Sequence, residues 1–168
     1  MTASIRPAAP GDAPGIARVF AHFVETSTAT FELNAPDARA WAAKVADLAR
    51  AGWPFLVAVD DDVVLGFAYV SPWRPRPAYA QTVEDTIYLD PAVTGRGLGT
   101  SLLTRLLVDA AAAGAREVIA VVADAEDGAS LALHRRAGFS EVGRLERVGR
   151  KFDRWLGTTL LQRSITEP

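Results

Sequence analysis

The residues most able to do chemistry stand in a glycine-rich turn, Gly95-Arg96-Gly97-Leu98-Gly99-Thr100, between a predicted strand and a predicted helix. Glycines there let the backbone approach a ligand without a Cβ clash. The N-terminus of the next helix offers unpaired N–H groups and a positive dipole, which favour a bound phosphate. The turn therefore predicts a site for a phosphate-bearing ligand, and the alternative is a tight turn that binds nothing.

The spacing of this turn excludes two nucleotide-binding motifs. A dinucleotide fingerprint starting at Gly95 or Gly97 needs its third glycine where Thr100 or Leu102 stands. A nucleotide P-loop needs a lysine, and the turn has none. We therefore expect a ligand that carries phosphate but is bound by neither of these two motifs.

Composition narrows the class of protein further. The chain has 168 residues, no cysteine, two histidines and a net charge of -2. These counts exclude disulfides, thiolate metal sites and a cysteine nucleophile, make a multi-histidine metal cage improbable, and argue against broad nucleic-acid binding. We expect one domain over residues 1–168. With no signal-like or membrane-length apolar run, we also expect a cytoplasmic protein that binds no membrane.

Periodicity and turn residues predict the elements that position the turn. The predicted strands are Ile5–Pro7, Phe55–Val59, Val63–Ser71, Thr82–Leu89, Val118–Val122, Phe139–Val148 and Trp155–Ser164. The predicted helices are one capped by Asp12 with Ile16, Val19, Phe20, Phe23 and Val24 on its apolar face, one from Asp37 to Gly52, and the segments Leu98–Ala113 and Ser130–Ala137. The five apolar residues Val118–Val122 indicate a strand buried on both faces. Together these elements predict a single α/β layer domain.

Several motifs resemble those of a known superfamily. Leu89-Asp90-Pro91, the glycine-rich turn and Leu133-His134-Arg135-Arg136-Ala137-Gly138-Phe139 resemble the GCN5-related N-acetyltransferase (GNAT) superfamily. Ser71–Tyr79, Thr82-Val83-Glu84-Asp85-Thr86-Ile87-Tyr88-Leu89 and Val148–Trp155 resemble its phosphinothricin (methionine sulfoximine) N-acetyltransferases. The match keeps motif order from Ile5 to about Gln162. It implies a single-domain GNAT fold, α/β (α+β), with a mixed, partly splayed central sheet flanked by helices, and a homodimer.

The resemblance also implies an acetyl-CoA site in the cleft between the central strands. The residues it assigns to the cofactor are Ile87, Tyr88, Leu89, Gly95, Arg96, Gly97, Leu98, Gly99, Thr100, Asp127 and Ser130. Two positions depart from the superfamily pattern. Thr94 replaces the usual Gln or Arg, which is tolerable where backbone N–H groups bind the phosphates. Asp127 replaces the usual Asn and removes an amide donor, so we expect weaker cofactor binding.

The same resemblance gives roles to catalytic and substrate residues. Glu84 becomes the general base, acting through water, and His134 becomes the proton donor to the thiolate. Without the family resemblance, each of the two is better explained as a structural side chain. The residues it assigns to the substrate are Phe31, Trp73, Arg74, Arg76, Tyr79, Glu84, Asp85 and Thr86. Either Arg74 or Arg76 could hold a carboxylate or phosphinate in bidentate fashion. Lys151 and Trp155 match the family tail. They could contact either the substrate or a partner subunit, and the sequence does not distinguish the two.

The predicted activity is direct acetyl transfer from acetyl-CoA to the α-amino group of a small amino acid or analogue, such as phosphinothricin or methionine sulfoximine. The absence of cysteine excludes an acetyl-cysteine intermediate. One alternative is acetylation of a protein or peptide N-terminus. A second is a module that binds acetyl-CoA without transferring its acetyl group. No metal is expected.

Overall fold

The computed structural model describes residues 3–124 and 128–165, within which seven strands form one sheet. The strands are β1 (Ser4–Pro7), β2 (Phe55–Asp60), β3 (Val63–Pro72), β4 (Thr82–Leu89), β5 (Glu117–Ala123), β6 (Ser140–Lys151) and β7 (Arg154–Ser164). The helices are α1 (Ala13–Thr26), α2 (Ala38–Arg50), α3 (Leu98–Ala112) and α4 (Ala129–Arg136). Every predicted element is present, with bounds shifted by a few residues at most.

The strands lie in the order β1-β2-β3-β4-β5-β7-β6, with neighbours antiparallel except for the β4–β5 pair. The acidic turn between β2 and β3 forms the predicted hairpin. Asp61 and Asp62 adopt φ of 45° and 64°, the left-handed conformation required at both central positions of a two-residue turn that matches strand twist.

Helices cover both faces of the sheet. On one face, α1 and α2 bury an aromatic cluster around Phe20, Trp41 and Phe67, where the Phe20 and Trp41 ring centroids lie 5.2 Å apart. On the other face, α3 buries all five of its predicted inward side chains. These are Leu102, Leu103, Leu106, Leu107 and Ala110. The two cores hold the sheet between the helix layers and so fix the positions of its central strands, β4 and β5.

Two sequence predictions are wrong in detail. Asp12 precedes α1, but its side chain makes no hydrogen bond to that helix. Its carboxylate accepts two hydrogen bonds from Arg6, each 2.8 Å long, and one from the Ala9 N–H, and the Arg6 guanidinium holds the pKa of Asp12 below its ordinary value. Strand β5 is not buried on both faces, because 36% of Val121 is exposed.

The exposure of Val121 follows from the way β4 and β5 pair. Their parallel ladder has three residue pairs and ends at Glu84 opposite Ile119. Strand β4 nevertheless continues along β3 as far as Leu89, and β5 continues along β7 as far as Ala123. The two central strands therefore separate beyond Glu84, as the splayed sheet predicted from the sequence requires.

Candidate active site

A cleft of about 420 Å³ occupies the space where β4 and β5 separate. Residues 84–89 of β4 and 120–123 of β5 form its two strand sides. One wall, which we call the α4 wall, consists of Ala129, Ser130, Leu133 and His134. The opposite wall, which we call the loop wall, consists of residues 29–31, between α1 and α2. The ladder between β4 and β5 ends at this cleft, so an extended ligand can meet strand backbone there.

Glu84 lies where the strands separate, as the last β4 residue paired with β5. Its side chain lines the cleft. Burial, reinforced by the negative charge of Asp85, raises the pKa of Glu84 above its ordinary value, and the positive charges of Arg74 and Lys44 offset part of that rise. A carboxylate with a raised pKa is a stronger base, so its environment makes Glu84 a better proton acceptor than an exposed glutamate.

His134 lines the same cleft but faces it with both ring nitrogens already engaged. Nδ1 lies 2.7 Å from the Ser130 carbonyl oxygen, which can only accept, so Nδ1 carries a proton. Nε2 lies 2.9 Å from Asp85 Oδ2, and the pair is almost completely buried. Burial opposes the charged ring, but the hydrogen bond and charge of Asp85, with the Ser130 carbonyl, outweigh it and raise the pKa of His134. Asp85 therefore stabilises the protonated form of the ring.

The glycine-rich turn lies beside the cleft, which it borders through Thr94. Gly95 and Gly97 adopt φ of 77° and 79°, in the left-handed region that favours glycine. Gly97 is the N-cap of α3, whose first N–H groups have no partner within the helix. Thr94 Oγ1 donates to the Pro91 carbonyl at 3.1 Å, which fixes the start of the turn. The phosphate site expected at this turn stays a prediction, which the left-handed glycines and the start of α3 support.

Long-range contacts hold the loop wall in place. Lys151 is buried, with 4% of its surface exposed. Its ammonium donates to the Phe23 carbonyl at 3.3 Å and to the Thr30 carbonyl at 3.0 Å. Burial lowers the pKa of this ammonium. The Tyr88 hydroxyl donates to the Ala29 carbonyl, and burial raises the pKa of Tyr88 to about 12, so the hydroxyl keeps its proton. Lys151 therefore serves the wall of the cleft from inside this chain.

Phe31 in the loop wall packs against the backbone of Gly149 on β6. A Cβ built on Gly149 would lie 2.4 Å from Phe31 Cε2, so any other residue there would displace the Phe31 ring. Trp155, the other residue of the family tail, is exposed, and the Arg147 guanidinium lies 5.0 Å from its ring centroid. Within the family tail, Gly149 therefore supports the loop wall, whereas Trp155 lies on the surface.

The predicted substrate residues divide into two groups. Phe31, Glu84, Asp85 and Thr86 line the cleft. Trp73, Arg74, Arg76 and Tyr79 lie on the loop between β3 and β4, outside that lining, and Arg74 stacks 4.7 Å from the Trp73 ring centroid. The charge of Arg74 still reaches Glu84. The structure therefore brings together the strand part of the predicted set and leaves its loop part at the surface.

The predicted cofactor residues are also distributed unevenly. Ile87, Tyr88, Leu89 and Ser130 line the cleft, whereas the turn residues 95–100 lie beside it. Gly99 packs so closely that a Cβ there would lie 3.0 Å from Leu89 Cδ1, which joins the first turn of α3 to the end of β4. Asp127, the second departure from the superfamily pattern, lies outside the described residues.

The cleft lining includes several residues that sequence reasoning did not assign to the site, among them Val121 and Thr158. Thr158 is 5% exposed, and its Oγ1 has no hydrogen-bond partner among the described residues. A polar side chain in an otherwise apolar stretch of a buried strand is the signal that could have drawn attention to Thr158. Val121 could not have been found in this way, since its exposure depends on the separation of two strands.

Residues 3–124 and 128–165 hold no cluster of three or more His, Asp or Glu side chains placed to bind a metal ion. Over the same ranges, none of the helices has the length and apolar content needed to cross a membrane.

Comparison with known proteins identifies the fold and the family. The model of the acetyltransferase (GNAT) family matches residues 17–139. The chain is 43% identical to a phosphinothricin N-acetyltransferase of Alcaligenes faecalis, over 92% of this chain and 78% of the relative. It is 38% identical to an L-methionine sulfoximine/L-methionine sulfone acetyltransferase of Pseudomonas aeruginosa, over 98% of this chain and 96% of the relative.

Among solved structures, a GNAT superfamily phosphinothricin acetyltransferase from Sinorhizobium meliloti in complex with acetyl-CoA superimposes with a TM-score of 0.89. It is 37% identical, and the alignment covers all of this chain and 94% of the other. The fold and the resemblance predicted from the sequence are thereby confirmed. The chain belongs to the acetyltransferase (GNAT) family, among its phosphinothricin and methionine sulfoximine N-acetyltransferases.

Proposed function

We propose that this N-acetyltransferase transfers the acetyl group of acetyl-CoA to the α-amino group of a small amino acid or analogue, of the kind for which its relatives are named. The observation that carries the proposal is the position of Glu84. Its carboxylate lines the cleft at the point where β4 and β5 separate, and burial raises its pKa. A small amine that enters from the loop wall meets this base directly.

The residues present fit acetyl-CoA. The edge of β4 beyond Glu84 has no ladder to β5, so an amide-bearing arm could hydrogen-bond along residues 87–89 as an added strand would. The left-handed turn at Gly95 and Gly97 and the start of α3 would hold the pyrophosphate through backbone N–H groups. When bound, acetyl-CoA supplies the acetyl group as a thioester.

In the proposed mechanism, two side chains move protons. Glu84 accepts a proton from the substrate ammonium, through a water molecule, and so frees the amine for attack. His134, whose protonated form Asp85 stabilises, supplies a proton to the departing sulfur. Because both of its N–H groups are engaged, this donation requires Nε2–H to leave Asp85 Oδ2.

Replacement of the base tests the proposal. Glu84→Gln keeps the size of the side chain but cannot accept a proton, so kcat should fall by about 10²- to 10⁴-fold while the KM for acetyl-CoA is unchanged. In the wild type, activity should fall with decreasing pH as Glu84 protonates at its raised pKa, and the variant should lack that acidic limb. Release of free CoA from methionine sulfone and phosphinothricin gives the rates.

Glu141→Gln is the matched control, since Glu141 lies on β6 with an exposed side chain paired to Arg135. It should leave both parameters unchanged. Full turnover by Glu84→Gln would exclude Glu84 as the base. Faster acetylation of peptide N-termini than of any free amino acid would contradict the assigned substrate class.

We also propose that the protein is a cytoplasmic homodimer. Exposed apolar side chains on and beside strands β6 and β7 support the dimer. They are Val142, Leu145, Val148, Phe152 and Trp155. Strand β6 is also an edge of the sheet, with unpaired backbone groups that a second copy could cover. Sedimentation equilibrium would measure the mass in solution, and a monomer at micromolar concentration would contradict this assembly.

A further inference from the structure

The chain between β4 and the glycine-rich turn begins with Asp90, which makes hydrogen bonds in several directions. The Asp90 N–H donates to the Leu65 carbonyl at 2.8 Å, and the Asp90 carbonyl accepts from the Val93 N–H at 3.0 Å. Asp90 Oδ1 accepts from the Ala92 N–H at 3.0 Å and so caps the short 3-10 helix Pro91–Val93. Asp90 therefore sets the direction in which the chain leaves the sheet.

The other carboxylate oxygen of Asp90 is bound by Arg18, on α1. Arg18 Nη1 donates to Asp90 Oδ2 at 2.6 Å, and Arg18 Nη2 donates to the Val64 carbonyl, on β3, at 2.7 Å. The hydrogen bond from Arg18 is the main cause of a pKa of Asp90 below its ordinary value, which keeps the carboxylate charged near neutral pH. One guanidinium thus joins α1, β3 and the end of β4.

Helix α1 lies close to β3 beside this guanidinium. A Cβ built on Gly15, three residues before Arg18, would lie 2.6 Å from Val64 Cγ2. On its buried side, α1 packs into the aromatic cluster through Ile16, Val19 and Phe20. Arg18 therefore holds Asp90 from a helix that is itself fixed in the core.

The glycine-rich turn starts a short distance along the chain from Asp90. Gly95 comes five residues after Asp90, and within that segment Thr94 bonds back to the Pro91 carbonyl. A Cβ on Gly95 or Gly97 would meet nothing within 4 Å among the described residues, so the glycines themselves have little packing support. The far end of the turn is held by α3. Its near end depends on Asp90, and through Asp90 on Arg18.

We propose that Arg18 is a positioning residue for acetyl-CoA, because it holds Asp90, and with it the near end of the glycine-rich turn, in the arrangement that binds the pyrophosphate. This inference rests on the proposed function, in which the turn binds the donor. It adds a residue from the helix layer on the other face of the sheet from α3. Arg18 acts through Asp90 and takes no part in acetyl transfer.

Arg18→Met tests the inference because it removes both donors and keeps an unbranched side chain. With CoA as the probe and no amine present, the Kd from isothermal titration calorimetry should rise about three- to tenfold, since a less ordered turn loses more freedom on binding. The KM for acetyl-CoA should rise similarly, whereas kcat and the KM for the amine should not change. Arg18→Lys keeps the charge but not the planar fork that holds two acceptors, so its Kd should lie between those of the wild type and Arg18→Met.

Arg105→Met is the matched control. Arg105 is paired with Asp109, and its side chain is 49% exposed, against 51% for Arg18. The control should leave the Kd for CoA as in the wild type. If Arg18→Met had the same Kd as this control, the inference would be overturned. An equal rise in both KM values would also overturn it, because Arg18 would then support the fold as a whole.

Amide hydrogen exchange without any ligand gives a second readout. In Arg18→Met, the Ala92 and Val93 amides, which both bond to Asp90, should exchange faster than in the wild type, and in Arg105→Met they should not. Unchanged exchange at both amides would show that Asp90 needs no support from Arg18 and would overturn the inference. Wild-type enzyme that binds CoA but acetylates no amine would instead refute the proposed function.

Discussion

The two walls of the cleft are fixed by different kinds of contact. In the α4 wall, His134 has its Nδ1 bond within its own helix, to Ser130, and its Nε2 bond to Asp85 on the adjacent strand. In the loop wall, residues 29–31 are held by groups far away in sequence, Lys151 on β6 and Tyr88 on β4. The first wall is held to β4 by a buried pair, in which Asp85 Oδ2 bonds His134 while Asp85 Oδ1 has no hydrogen-bond partner among the described residues. The second contains backbone carbonyls that depend on distant donors.

This difference matches what each wall must do. In the proposed mechanism, the wall that faces the acetyl donor is built from a local motif and a buried ion pair, which give one geometry. The wall proposed to face the amine must fit a particular side chain, and Phe31 there packs against Gly149 on β6. Substrate choice is therefore expected to change with residues that lie outside any local motif.

The largest expected effect comes from breaking the buried pair of the α4 wall. Asp85→Ala should lower the free energy of unfolding by about 3–5 kcal/mol at a pH where His134 is protonated, because it leaves the buried imidazolium without its counter-charge. The folded-state pKa of His134 is raised, so the stability from this pair is fully present below its ordinary pKa and is lost as pH rises through the raised value. Urea unfolding at several pH values measures both effects.

Asp109→Ala is the control for that experiment. It breaks an exposed pair with Arg105 four residues apart on α3, and such surface pairs contribute under about 1 kcal/mol. If Asp85→Ala cost no more than this control, the α4 wall would not depend on a buried charge pair.

A smaller effect is expected from the loop wall. Lys151→Met leaves the Thr30 carbonyl without its lysine donor, which costs about 1–3 kcal/mol, offset by removal of a buried charge, whereas the Phe23 carbonyl keeps the Ser27 N–H. The loop should become less well positioned, so the KM for the amine should rise several-fold while the KM for acetyl-CoA stays the same. Steady-state kinetics with each substrate varied in turn separates the two constants.

Lys44, the only other lysine, provides the comparison variant. Its ammonium lies 4.6 Å from the Tyr69 ring centroid, and its charge lowers the pKa of Glu84. Lys44→Met should therefore move the acidic limb of the pH profile upward. An equal rise in both KM values for Lys151→Met would mean that the lysine supports the whole cleft and not one wall.

The sequence predicts the α4 wall better than the loop wall, for a physical reason. The glycine turn, Glu84 and His134 stand in local patterns whose spacing is visible along the chain, and the structure brings Glu84 and His134 to one cleft. The partner of His134 is 49 residues away in sequence, and Asp85 could be assigned to it only from the packing of α4 on β4. Lys151 and Thr158 depend on the register of β6, β7 and β5, which hydrophobic alternation alone does not determine.

The smallest expected effect concerns the glycine turn beside the α4 wall. A Cβ on Gly97 would meet nothing within 4 Å, so Gly97→Ala is opposed by its φ of 79° alone, at about 1–2 kcal/mol. Relief of that strain would move the first N–H groups of α3, so the KM for acetyl-CoA should rise and that for the amine should not. Gly52→Ala is matched in φ, at 81°, and in open surroundings, but lies at the end of α2. Equal destabilisation with unchanged acetyl-CoA kinetics in both variants would show that the turn does not bind the donor.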